Sequence, residues 1–172
     1  MAEERERGPR LAVCPGSFDP LTLGHVDLVS RAARIFDTVV VAILANPDKT
    51  PLLPQDDRVR LAREVFAAVP NVDVATFDGL LVDFAASRGA IAVVRGLRSA
   101  ADVDFEWPMT MMNRHLRPSL DTVFLPTAAS LGHLSSRLVK EVWRLGGDVH
   151  GLVPAPVEQR LQALRAVEAR AR

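Results

Sequence analysis

The sequence predicts a single α/β domain of Rossmann-like layout: a five-stranded parallel sheet, helices on both of its faces, and a further helix at the C-terminus. Three features of the 172 residues carry this expectation. Short β-branched runs alternate with segments whose apolar residues recur at helical spacing. The run Thr38-Val39-Val40-Val41-Ala42-Ile43-Leu44 is apolar without interruption, as a strand covered on both faces must be. No stretch rich in proline, glycine and serine is long enough to separate two domains.

Leu11 to Cys14 is the first strand and runs into a Pro-Gly turn. Gly24 to Phe36 follows as a helix, with Val26, Leu28, Val29, Ala32, Ala33 and Ile35 on its apolar side. Thr38 to Leu44 is the second strand, and the prolines at 47, 51 and 54 mark a loop after it. Gln55 to Val69 reads as a helix that turns Val59, Leu61, Ala62, Val65 and Phe66 inward, and Val72 to Phe77 as the third strand. Leu80 to Arg88 is a short helix stopped by Gly89, and Ile91 to Val94 is the fourth strand. Ser99 to Leu116 has a helical pattern but contains Pro108, which should kink or restart it. Thr122 to Leu125 is the fifth strand. Leu131, Leu134, Leu138, Val142 and Leu145 form a stripe at helical spacing, closed by Gly146 and Gly147. Pro156 opens the last amphipathic helix, carrying Val157, Leu161 and Leu164. Residues 1–9 are expected to be an exposed or disordered tail and 10–172 the domain.

Composition narrows the function. Lys plus Arg and Asp plus Glu are 21 each, a formal net charge of zero, which disfavours non-specific binding of nucleic acid or anionic membranes. Tyr is absent and aromatics are 5 %, so no stacking platform for single strands is expected. The lone Cys14 excludes an internal disulfide and a Cys-rich zinc site, and reads as a small core residue. No apolar run reaches the length of a membrane span, and the N-terminus lacks the apolar core of a signal peptide. The expectation is a cytoplasmic chain with no membrane or nucleic-acid partner.

In an open parallel sheet, ligands bind beyond the carboxyl ends of the strands. Those ends carry Gly16-Ser17-Phe18-Asp19-Pro20-Leu21-Thr22-Leu23-Gly24-His25, Asn46-Pro47-Asp48-Lys49, Asp78-Gly79-Leu80-Leu81, Arg95-Gly96-Leu97-Arg98, and the segment leading to Ser135-Ser136-Arg137. Bare glycine N–H groups, hydroxyls, a histidine and several cations converge there, a combination suited to a phosphorylated, nucleotide-like ligand. Thr22 and His25 lie three apart at a helix start and project from one face, while Gly24 leaves room for a phosphate. The zero net charge thus conceals a basic rim of His25, Lys49, Arg95, Arg98 and Arg137, with the balancing acids expected elsewhere.

The G-S-F-D-P-x-T-x-G-H segment, with Lys49, Arg95-Gly96-Leu97-Arg98, Asn113-Arg114-His115 and Ser135-Ser136, resembles phosphopantetheine adenylyltransferase of the HxGH-type nucleotidyltransferase superfamily. The resemblance implies adenylyl transfer from ATP to 4′-phosphopantetheine, giving dephospho-CoA and pyrophosphate in coenzyme A biosynthesis, with Mg²⁺ accompanying ATP. It implies His25, Lys49 and Arg98 as catalytic residues. It implies nucleotide contacts from Ser17, Phe18, Thr22, His25, Gly96, Leu97, Arg98 and Glu106, and from Leu131, Gly132, His133, Leu134, Ser135, Ser136 and Arg137. Acceptor contacts would come from Ser17, Lys49, Leu81 and Arg95. The family also implies a homohexamer of two trimers and, as partners, ATP, 4′-phosphopantetheine and dephospho-CoA or CoA. Arg137 stands where the family has a third serine, and Asp104-Phe105-Glu106-Trp107-Pro108 departs from its acidic-Tyr-Glu pattern. Two alternatives stand beside this reading: a diverged nucleotidyltransferase with another phosphorylated acceptor or nucleotide, and a non-catalytic nucleotide- or CoA-binding module.

Overall fold

A computed structural model describes residues 8–45 and 51–170. Five parallel strands, β1 (Leu11–Gly16), β2 (Thr38–Leu44), β3 (Val72–Phe77), β4 (Ala92–Leu97) and β5 (Asp121–Pro126), lie in the order β3-β2-β1-β4-β5. The helices are α1 (Leu23–Ile35), α2 (Gln55–Phe66), α3 (Leu81–Ser87), α4 (Ala100–Leu116), α5 (Ser136–Arg144) and α6 (Ala155–Arg170), with a 3₁₀ turn at Ala129–Leu131. The expected α/β sheet with a C-terminal helix is therefore present. Residues 1–7 of the expected tail lie outside the described residues, and Gly8 and Pro9 are exposed.

Strand alternation sorts the core into two layers. Ala12, Cys14, Val39, Val41, Ile43, Val74, Ala92 and Val94 point to one face and pack with α1, α2, α5 and α6. Val13, Val40, Ala42, Phe77 and Val93 point to the other and meet Val82 and Ala85 of α3. Burying both faces explains why β2 could be read as an unbroken apolar run.

The chain order reverses between β1 and β4, and there the ladder is short. β1 pairs with β2 over six positions, but with β4 only at Ala12↔Ala92 and Val13↔Val93. Beyond these, the strand ends diverge and leave a crevice at the topological switch point, where such sheets bind ligands.

The helix does not restart at Pro108, since α4 runs through it from Ala100 to Leu116. Pro108 is exposed, so the carbonyl it leaves without a donor faces water, and the missing bond does not end the helix. The stripe Leu131-Leu134-Leu138-Val142-Leu145 is not one helical face. Ser135 caps α5, accepting from the Leu138 N–H at 3.1 Å, so the helix begins only at Ser136. Its buried face is Val139 and Trp143, while Leu138 is 44 % and Leu145 83 % exposed.

Trp143 joins α5 to α6. Its Nε1–H donates to the Leu161 carbonyl at 3.2 Å, and the Arg165 guanidinium lies over the ring. Arg165 also donates to the Trp143 carbonyl at 2.8 Å and the Gly147 carbonyl at 3.1 Å, satisfying the helix end. Truncating Trp143 to Ala should destabilise the domain by about 3–5 kcal/mol, read as a lower midpoint in urea with the slope retained.

Candidate active site

The crevice between β1 and β4 holds a polar cleft of about 270 Å³, lined by Pro15 to Phe18, Thr22, His25, Arg95, Gly96, Arg98, Glu106 and Leu134 to Ser136 among others. Its floor is Cys14 and Val94. Burial pushes the Cys14 thiol up to about 12, so it is an inert packing group.

The β1–α1 turn sets His25. Thr22 is the N-cap of α1, and His25 occupies the third helical position. The Thr22 hydroxyl accepts from the His25 N–H at 3.4 Å, while the Thr22 N–H donates to His25 Nδ1 at 3.0 Å. This is a capping box with histidine in the place of the usual Glu or Gln. Because Nδ1 accepts, the proton of the neutral ring is assigned to Nε2, leaving an N–H donor for the cleft. The Phe18 ring stacks edge-on against the imidazole, with centroids 5.0 Å apart. Phe18 has φ +48°, a strained conformation for a bulky residue, and its ring comes so close to Gly16 that a Cβ there would sit 3.1 Å from it. A side chain at Gly16 would press on the Phe18 ring, which would have to shift by a few tenths of an ångström.

Burial, then the charges of Arg95 and Arg98, lower the His25 pKa from 6.5 to about 4. Those two cations carry local counter-ions. Arg95 makes a bidentate pair with Glu106 at 2.8 and 2.5 Å and donates to the Pro15 carbonyl at 2.8 Å. Arg98 pairs with Asp102 at 3.1 and 2.9 Å and reaches the Leu134 carbonyl at 3.3 Å. The Arg98 guanidinium holds the Asp102 carboxyl below the usual range. Two of the balancing acids, Glu106 and Asp102, are thus paired at the site rather than placed elsewhere.

Ser17, Phe18, Thr22, His25, Arg95, Gly96, Arg98, Glu106, Leu134, Ser135 and Ser136 all line the cleft. Leu97, Leu131, Gly132 and His133 are not among its lining residues, and His133 is exposed. Arg137 lines a neighbouring cavity. Lys49 lies outside the described residues. Leu81 lines a separate, largely apolar cavity of about 530 Å³ with Leu44, Phe77, Leu80, Val82, Met109 and Met112. Met109 and Met112 line it and, like Met111, are about half-exposed.

Sequence reasoning missed three residues here. Asp19 is buried and accepts from the Leu52 and Leu53 N–H groups at 2.9 and 2.8 Å and from Lys140. Arg58, 6 % exposed, donates to the Ser17 carbonyl at 2.7 Å and so supports the motif from behind. The signal for Arg58 was present: it stands on the apolar stripe of α2 with Leu61, Ala62 and Val65.

With His25 neutral in the fold, the unfolded chain binds more protons between pH 6.5 and 4. The stability contributed by the neutral ring is full above about pH 6.5 and is lost as pH falls toward 4. In the ligand-free protein, the ¹⁵N signals of His25, identified by their loss in His25→Ala, should keep the Nε2–H pattern down to pH 5. A mid-point near 6.5 would refute the buried neutral ring. Thr22→Val should cost about 1 kcal/mol through the lost hydroxyl cap, read by thermal unfolding.

A family model described as cytidylyltransferase-like matches residues 13–142. The chain is 51 % identical over 152 residues to a phosphopantetheine adenylyltransferase of Sodalis glossinidius, covering 88 % of this chain and 95 % of that protein. It is 55 % identical, with the same coverages, to one from a Nocardioides species, and 49 % identical over 151 residues to one from Symbiobacterium thermophilum, covering 88 % and 93 %. In fold it is similar to a solved structure from Vibrio parahaemolyticus described as a candidate nicotinate-nucleotide adenylyltransferase, with a TM-score of 0.66 at 17 % identity, covering 90 % of this chain and 93 % of that one. The chain belongs to the phosphopantetheine adenylyltransferase family, within the cytidylyltransferase-like group.

Proposed function

We propose that the protein transfers the adenylyl group of ATP to the phosphate of 4′-phosphopantetheine, releasing pyrophosphate and forming dephospho-CoA for coenzyme A biosynthesis. One observation carries this reading beyond family membership. The polar cleft and the apolar cavity share Pro15, Gly16, Ser17, Arg95 and Glu106 as a common wall. An acceptor with a long, weakly polar arm and a terminal phosphate fits that pair: the arm along Leu81, Phe77 and Met109, the phosphate at Arg95, beside the nucleotide phosphates.

An acceptor phosphate oxygen attacks the α-phosphorus. The bond from that phosphorus to the bridging oxygen breaks, and its electron pair leaves with pyrophosphate. The attacking group is already an anion at neutral pH, so no general base and no covalent intermediate are needed. Catalysis rests on positioning and on neutralising charge that builds on phosphoryl oxygens. His25 serves as a neutral Nε2–H donor to such an oxygen. Arg98, Thr22 and the N–H groups at the start of α5, capped by Ser135, hold the triphosphate, while Ser17, Lys49 and Arg95 hold the acceptor. The cleft's polar groups are mostly hydrogen-bond donors, suited to phosphates rather than to a resident metal, so Mg²⁺ enters on ATP as part of the substrate.

The exposed apolar residues of α4, including Phe105 and Trp107, support self-association, for which we propose a hexamer of two trimers. No helix among the described residues is long and apolar enough to cross a membrane, and we propose a cytoplasmic location. The positions of Arg137 and His133 favour one second reading, a relative with an altered nucleotide or acceptor preference.

Purified protein with Mg²⁺, ATP and 4′-phosphopantetheine should release pyrophosphate, and CTP in place of ATP tests the second reading. No release with any pairing of these would refute transferase activity on this acceptor. His25→Ala should lower kcat by about 10²–10³ while leaving the circular-dichroism spectrum unchanged.

A further inference from the structure

We propose that Asp19 and Arg58 are positioning residues of the transferase: together they clamp Phe18 in its left-handed conformation, and the Phe18 ring in turn holds the His25 imidazole aimed into the cleft. The proposal rests on the adenylyl-transfer reading above, in which His25 donates from Nε2. Neither Asp19 nor Arg58 lines the polar cleft, so both act through other residues. Phe18 is 4 % exposed and has φ +48°, a region that a bulky side chain occupies only when its surroundings over-determine it.

The anchors stand on either side of Phe18. Before it, the Ser17 carbonyl accepts from Arg58 Nη1 at 2.7 Å. The same nitrogen reaches the Leu44 carbonyl at the end of β2 at 3.4 Å, so α2 ties the turn to the sheet. After it, the Asp19 carboxylate accepts from the Leu52 and Leu53 N–H groups and pairs with Lys140 of α5. The next carbonyl, that of Pro20, accepts from the Ser136 hydroxyl at 2.8 Å. Both anchors are charged and buried, and Arg58 Nε has no hydrogen-bond partner. If packing alone were at stake, an apolar side chain of similar volume would be the more stable occupant of such a position. What these charges hold is the turn.

Phe18 transmits the constraint. Its ring meets the imidazole edge-on, with centroids 5.0 Å apart and planes at 65°. The Thr22 N–H fixes Nδ1, but a ring held at one atom can still tilt about that bond, and Phe18 stands in the way of the tilt. With Phe18 relaxed to negative φ, its ring would leave the imidazole, and the Nε2–H would sweep an arc instead of meeting one phosphoryl oxygen. A displacement of about 1 Å at the reacting atoms can lower a rate by roughly 10²-fold, so loosening either anchor acts on kcat. Substrate binding, which other residues supply, changes little.

The test is a double-mutant cycle on the kinetics of pyrophosphate release by the full chain. Asp19→Asn, which keeps the shape and loses the charge, and Arg58→Met should each lower kcat by about tenfold or more, with KM for ATP and 4′-phosphopantetheine held within about threefold. Phe18→Leu should lower kcat likewise, and adding Asp19→Asn to it should lower kcat by less than about twofold more, since both act on the same contact. Lys140→Met, at a partly exposed position, loosens the Asp19 anchor from the side of α5 and should lower kcat in the same direction, which keeps the proposal testable if Asp19→Asn does not fold. Asn71→Ala, which frees the far end of α1 by removing bonds to the Ala33 and Phe36 carbonyls, should lower the melting temperature and leave kcat within about twofold. Unchanged kcat in the anchor variants overturns the proposal. So do losses that multiply in the double variant, or an equal loss in Asn71→Ala, which would mean general destabilisation. In the ligand-free chain, the nuclear Overhauser contact between the Phe18 and His25 rings should weaken in Asp19→Asn, and an unchanged contact overturns the clamp whatever the activity. If the contact weakens but the unaltered chain never releases pyrophosphate, the adenylyl-transfer reading fails and the clamp on the ring stands.

Discussion

After Val13 and Val93, the two central strands stop pairing, and each must find other partners for its backbone. Pro15 has no N–H to offer the ladder, which suits it to this seam and would disqualify it from a fully paired central strand. Its carbonyl, released from the sheet, takes a hydrogen bond from Arg95, the residue at the matching level of β4. The crevice is therefore bridged by a side chain where backbone bonds would otherwise close it. The polar cleft and the apolar cavity both open from this parting, and Ser17, Thr22, His25 and Arg98 stand on the loops and helix starts that leave it.

Electrostatically, the site is a set of pre-paired cations. Arg95 sits on Glu106, Arg98 on Asp102, and Lys140 on Asp19. Each pair fixes a flexible side chain in one orientation, and Arg95 and Arg98 keep donor hydrogens at the cleft. Pairing also lets several cations gather near one neutral imidazole without disrupting the fold.

Much of this was legible in the sequence because the determinants are local. Strand alternation, the buried run of β2, the glycine punctuation and the Thr22-to-His25 spacing all act within a few residues. The failures have physical reasons too. The stripe from Leu131 to Leu145 matched a helical period, but a hydrogen bond from the Leu138 N–H to Ser135 starts the helix late and turns a different face inward. Pro108 looked like a breaker, yet exposure to water removes most of the cost of the missing bond. The acids belonging to Arg95 and Arg98 stand 11 and four residues away on α4, a helix whose placement depends on the sheet. Lys140 and Asp19 are 121 positions apart, and no local pattern announces such a pair.

The capping box of α1 has a consequence for timing. The bond that holds the imidazole is one the helix start requires in any case, so the ring's two torsions are fixed when the chain folds. A turnover need not wait for the side chain to search its rotamers, and the entropy of ordering it has been spent once, before any substrate arrives.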